Sequence, residues 1–217
     1  LHKMGFQGGE GTYAGPSSSP RVKGYPYFHV KAFLTHPFSV MRYFCGDITH
    51  VQAFLNRPGY RKKASDVMLS INSIHVKFAN DCVGYLLSTR GDTTFGLGGW
   101  WSIEVGGTFG TFCIENCIEK VTYWSAPKPP DAAHPERLRP GTSLEPSVTS
   151  SGMTDFNETF PRRIHAFLED VANNVPREDL RASGRDALAT LEYIWAAMES
   201  YERGGIMVRP HPLPPPQ

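Results

Sequence analysis

From Ser65 to Phe78 the chain alternates, with Val67, Leu69, Ile71, Ile74, Val76 and Phe78 apolar between polar neighbours. A period of two marks a half-buried strand, and the one slip in phase, near Ser73, predicts a bulge or break. Asn80-Asp81 is a turn signal, and Cys82 to Thr89 reads as the returning strand. Thr49–Asn56, Trp100–Val105, Thr111–Asn116 and Cys117–Ser125 add further extended segments, with Gly106, Gly107 and Gly110 at a turn between two of them. Successive strands joined by short turns predict a mainly antiparallel sheet.

The helical period governs three other segments. Phe33, Leu34, Phe38, Val40, Met41, Tyr43 and Phe44 fit a helix from about Thr35 to Cys45, with Pro37 near its start and Gly46 at its end. Phe156, Phe160, Ile164, Phe167, Leu168 and Val171 share one face of a second helix, which Pro161 places from Thr159 or Phe160 onward. The third runs from Gly184 towards Gly204, capped by Ser183 with Asp186 three residues on. Its predicted buried stripe is Leu188, Leu191, Ile194, Trp195, Met198 and Tyr201. A final short strand is expected at Ile206–Arg209.

Strands followed by helices predict the α+β class: an open, mainly antiparallel sheet with helices packed on one face and the other face free for subunit or substrate contact. The organisation expected is a flexible Gly- and Ser-rich segment over 1–24, a domain over 25–210 that includes a long loop at 127–152, and a Pro-rich tail at 211–217. Within the first segment only Lys3–Phe6 suggests a short strand. Gly8-Gly9-Glu10-Gly11 lacks the strand before and the helix after that a phosphate cradle needs.

Composition narrows the function. A chain of 217 residues can bury a core, and a net charge of +1 gives no electrostatic footprint for nucleic acid. No apolar run is long enough to span a membrane, and no secretory leader is visible, so a cytoplasmic location is expected. The chain begins at Leu1 rather than Met, which suits a partial chain. Cys45, Cys82, Cys113 and Cys117 are too few and too dispersed for a disulfide framework, and no metal site is expected. Cys82 and Cys113, in strand-like surroundings, read as small buried hydrophobes of a reduced protein.

The order of elements resembles the second domain of the glucose–fructose oxidoreductase, inositol dehydrogenase and rhizopine-catabolism (Gfo/Idh/MocA) family. The matching pieces are Met41-Arg-Tyr-Phe-Cys-Gly-Asp47 with Val51-Gln-Ala-Phe54, then the paired strands around Asn80, then Ile103-Glu-Val-Gly-Gly-Thr-Phe-Gly-Thr-Phe112. Arg163-Ile-His-Ala-Phe-Leu-Glu-Asp170 and the helix from Gly184 complete the match, which covers about Tyr25 to Pro210. The resemblance implies NAD or NADP in the full-length enzyme, a sugar or polyol substrate, and a homo-oligomer formed through the open sheet face. It implies no cofactor bound to this chain alone, because neither a Gly-rich dinucleotide turn nor a Glu-Lys-Pro segment occurs in it.

The resemblance also implies the leading catalytic candidate, His36, which matches the His of an Asp-x-x-x-His element near the reacting hydroxyl. The Asp position is Ala32 here, a departure that removes the carboxylate expected to orient the imidazole. Imidazole suits the task because hydride removal needs a near-neutral base for the hydroxyl proton. Tyr27, His29 and Lys31 lie just upstream; were Phe28–Lys31 extended, His29 and Lys31 would share a face and could bind substrate. Trp100 and Trp101 offer aromatic faces of the kind that stack on sugars, or that bury a sheet against a partner.

The expected function is therefore the substrate-binding and oligomerisation domain of an NAD(P)-dependent sugar or polyol oxidoreductase. Alternatives are a stand-alone, non-catalytic binding or assembly protein, and a non-redox sugar isomerase or lyase using His36 with Lys31 or Tyr27.

Overall fold

The computed structural model describes residues 1, 3–10, 26–57, 69–90, 101–116, 118–125, 145–180 and 182–215. Its strands are β1 (Lys3–Glu10), β2 (Ile48–Asn56), β3 (Ile71–Phe78), β4 (Val83–Arg90), β5 (Trp101–Gly107), β6 (Gly110–Glu115), β7 (Lys120–Ser125) and β8 (Ser147–Ser150). The helices are α1 (Phe28–Phe33), α2 (Thr35–Cys45), α3 (Thr159–Ala172) and α4 (Gly184–Glu202). All eight strands form one open sheet in the order β2-β3-β4-β1-β5-β6-β7-β8. Every neighbouring pair is antiparallel except β1 and β4, which run parallel.

Alternation along the strands separates two faces. Ile74, Val76 and Phe78 of β3, Leu86 of β4, Met4 of β1 and Ile103 and Val105 of β5 are buried under the helices, whereas His75, Lys77, Val83 and Glu104 point to the other side and are exposed. Burying this apolar set, at about 25 cal/mol per Å² removed from water, is what binds sheet to helices. α2 contributes Pro37, Phe38, Met41 and Cys45 to that core. α4 crosses β2, where the Ala53 amide donates to Ser200 Oγ at 2.9 Å and Gln52 Nε2 donates to the Gly205 carbonyl at 2.8 Å. Val51 and Val208 exchange a reciprocal pair of 2.8 Å hydrogen bonds, so the expected last strand is a single bridge.

Several expectations are corrected. Against the flexible segment expected over 1–24, with a short strand at Lys3–Phe6, β1 is an eight-residue strand near the middle of the sheet. Glycine weakens a strand by entropy and by lack of side-chain packing. Here ladder bonds to neighbours on both sides hold it, and the Tyr85 ring lies over Gly5, 2.4 Å from where a Cβ would sit, so a larger residue there would displace that ring. The slip near Ser73 is no bulge. The strand starts only at Ile71, Asn72 takes an inward position and its Nδ2 donates to Ser88 Oγ at 2.9 Å, and the irregularity in this ladder lies between Ile48 and His50. The stretch read as loop 127–152 includes β8, paired with β7; residues 126–144 lie outside those described.

The stripes of the last two helices also differ. α4 buries Ala189, Thr190, Tyr193, Ile194, Ala196, Ala197, Met198 and Ser200, while Leu191 and Trp195 are 44% and 50% exposed. Ile194 and Met198 of the predicted stripe are buried, and Ala189, Ala196 and Ala197 complete the face, being small enough to let the helix approach the sheet closely. The apolar face of α3 is left bare: Phe160, Ile164, Phe167, Leu168 and Val171 are all exposed, and Asp170 is its one buried residue.

Candidate functional site

The site region grows out of the α1–α2 junction. Pro37 sits in the first turn of α2 and has no N–H to give to the turn before it, so the chain breaks between two short helices that share Leu34 as a boundary residue. α1 is helical and not extended, and this separates its polar residues. Residues two apart on a helix point about 200° from one another, so His29 and Lys31 face opposite ways.

His29 turns inward. It is fully buried, with its ring stacked on Phe33 one turn later at 5.0 Å. Phe33 meets Trp101 edge-on at 5.7 Å, and Trp101 in turn lies 5.5 Å from the His36 ring. The series His29, Phe33, Trp101, His36 thus leads from the core to the surface, and only His36, at the start of α2, is solvent-exposed. Trp101 comes from the first residue of β5, so sheet and helix meet at this point. His29 lies in the core, and Trp101 is the surface on which His36 rests. Trp100 lies outside the described residues.

Lys31 and Tyr27 belong to a different group. The Lys31 ammonium sits 4.1 Å over the Trp195 ring, a cation–π contact. Tyr27 Oη donates to Glu202 Oε1 at 2.8 Å, and its ring meets Tyr201 edge-on at 6.4 Å. Both residues therefore face α4. Ala32 is exposed, and its carbonyl accepts from Thr35 Oγ1 at 3.2 Å.

A polar clasp that sequence reasoning missed lies at the opposite end of α2. Arg42 Nε donates to Asp47 Oδ1 at 2.7 Å, and its Nη1 pairs with Asp186. Tyr193 Oη donates to the same Asp47 oxygen at 3.2 Å while accepting the Ile48 amide at 3.2 Å. Burial works against the Arg42 charge, but the Asp47 hydrogen bond and the charges of Asp47 and Asp186 outweigh it and raise its pKa. Burial likewise pushes Asp186 up, but hydrogen bonds from Ser183, as helix cap, and the Arg42 charge hold its carboxyl below the usual value. The clasp flanks a cleft of about 440 Å³ between α2, α3 and α4, lined in part by Ser39, Tyr43 and Arg163. Among the described residues no group of three His, Cys, Asp or Glu side chains could hold a metal ion.

The sheet face opposite the helices carries a groove of about 680 Å³ lined by Lys3, His50, His75, Tyr85, Glu104 and Met207 among others. No helix among the described residues is long and apolar enough to cross a membrane.

No family model and no curated protein matches the chain. Solved structures do. Levoglucosan dehydrogenase in complex with NADH and L-sorbose superposes with a TM-score of 0.72 at 17% identity, over 98% of this chain and 59% of that one. An oxidoreductase from Agrobacterium radiobacter in complex with NAD+, L-tartaric acid and magnesium gives 0.65 at 15% identity, over 96% of this chain and 57% of that one. The super-repressor mutant of Gal80p from Saccharomyces cerevisiae gives 0.66 at 13% identity, over 96% of this chain and 57% of that one. The chain shares its fold with these structures over nearly its whole length, and it spans less than two thirds of theirs.

Proposed function

We propose that this chain is the substrate-binding and oligomerisation domain of an NAD(P)-dependent oxidoreductase that acts on a sugar or polyol. The observation that carries the reading is His36, which stands exposed at the start of α2 with its ring against Trp101. It does so on a fold shared with levoglucosan dehydrogenase over 98% of the chain. The bare stripe of α3 supports it, since an apolar surface of this kind is normally covered by another domain or subunit.

When a nicotinamide bound to a separate dinucleotide domain is present, it supplies the hydride acceptor. The work of this chain is to orient the hydroxyl and to take its proton. His36 Nδ1 or Nε2 is the acceptor for that proton, and Trp101 restricts how the imidazole turns. With Ala32 in place of a carboxylate, orientation by packing stands in for orientation by a hydrogen bond. Lys31 and Tyr27, committed to α4, are proposed to bind substrate only where it extends across that helix.

The test is nicotinamide reduction by the gene product as naturally encoded, against levoglucosan and a panel of sugars and polyols. Activity that falls by roughly 10²–10⁴ in His36→Ala supports the reading. Activity that is indifferent to His36→Ala removes His36 from the chemistry. If the product reduces no nicotinamide with any of these compounds, the oxidoreductase reading fails. A second reading, a non-catalytic binding or assembly protein, is favoured by Ala32 and predicts sugar or protein binding without turnover.

A further inference from the structure

Two cysteines far apart in sequence meet where α2 ends. Cys45 is the last residue of α2, and Cys82 precedes β4 in the β3–β4 turn; they are 3% and 1% exposed, and their Sγ atoms are 3.8 Å apart. One side chain sets the spacing of the two backbones. Asn80 Nδ2 donates to the Cys45 carbonyl at 3.1 Å, and Asn80 Oδ1 accepts the Cys82 amide at 3.1 Å. The Ala79 amide, which donates to the Asp47 carbonyl at 2.9 Å, ties the same two segments once more. A disulfide needs its sulfurs about 2.05 Å apart, so closure requires less than 2 Å of approach. Rotation of the two cysteine side chains must supply that approach.

We propose that Cys45 and Cys82 are a two-electron redox pair, oxidised by peroxide-class oxidants to a disulfide that staples α2 to the β3–β4 turn. In the balanced step both S–H bonds and the peroxide O–O bond break, one S–S bond forms, and both thiol protons leave in two molecules of water. The sulfurs are oxidised and the peroxide oxygens reduced. Burial and the neighbouring Cys82 keep Cys45 protonated, its thiol pushed up to about 12, so the reaction is slow at neutral pH and quickens as pH rises. This reading does not depend on the proposed oxidoreductase activity.

The test treats the protein, in a Cys113→Ser/Cys117→Ser background, with hydrogen peroxide at pH 7 and pH 9. Alkylation under denaturing conditions, intact mass and peptide mapping follow. A loss of about 2 mass units, a linked Cys45–Cys82 peptide formed faster at pH 9, and a Tm rise on the order of 10 °C are expected. The Tm rise should be reversed by dithiothreitol and absent in Cys82→Ser. Both thiols fully alkylated after peroxide, or oxidation only to sulfinic acid without a linked peptide, would overturn the proposal. Circular dichroism of Cys82→Ser before treatment shows whether that control is folded; if it is not, Cys82→Ala serves in its place.

Discussion

At the scale of single residues, burial controls the chemistry of this chain more than sequence neighbourhood does. His29 and His36 are seven positions apart, but one is sealed under Phe33 and the other stands in solvent. Cys45 shows the same control in its ionisation. Below its ordinary pKa near 9.0 the thiol is protonated in folded and unfolded chains alike; above it, the unfolded chain releases the proton and the folded one holds it to about 12. The folded state then binds more protons, so stability falls as pH rises through that window, by up to about 1.4 kcal/mol per pH unit. Urea unfolding at pH 8, 9 and 10 should show this slope in the native protein and a shallower one in Cys45→Ser. Equal slopes would mean that another group dominates the alkaline limb.

At the scale of elements, α3 and α4 make opposite claims on the fold. α4 gives the core Tyr193, Ile194 and a set of alanines and is fixed at its start by the Ser183–Asp186 capping box. Its Ile194→Ala variant should lose about 2–4 kcal/mol in chemical denaturation, the usual cost of a large-to-small change in a packed core. α3 buries only Asp170, so Ile164→Glu with Leu168→Glu should shift the stability of this chain by no more than about 0.5 kcal/mol. The same double change should lower its tendency to self-associate, as judged by light scattering. A large loss of stability would instead show that the α3 stripe packs within the chain. The periodicity of both helices was legible in the sequence, along with a start at Thr159 or Phe160 for α3 and the Ser183 cap of α4. What the period could not show was whether a partner lies against the stripe.

At the scale of the whole molecule, one face of an eight-stranded sheet has helices and the other has a groove with exposed His75, Lys77 and Val83. A large uncovered sheet face is commonly closed by a second copy through a two-fold axis. We therefore expect size-exclusion chromatography with light scattering to give a multiple of the 24.1 kDa chain mass. His75→Glu with Val83→Glu should shift it towards the monomer. A monomer in the native protein at tens of micromolar would place the oligomer contact elsewhere or remove it.

Local pattern alone marks the α+β class, most strand positions, α2, the first turns of α3 and α4, and the likeness that singles out His36. These follow from periodicity, caps and turns, which act over a few residues. Tertiary structure decided the rest. Only Lys3–Phe6, the first half of β1, looks like a strand; its Gly-rich second half is extended because neighbouring strands pair with it. α1 is too short for its own period to be read, and it takes its place from Phe33, which stacks on His29 and meets Trp101. The meeting of Trp101 with His36, the Arg42 clasp and the Cys45–Cys82 approach join positions separated by tens of residues. Such contacts are set by how sheet and helices stack, which no local pattern encodes.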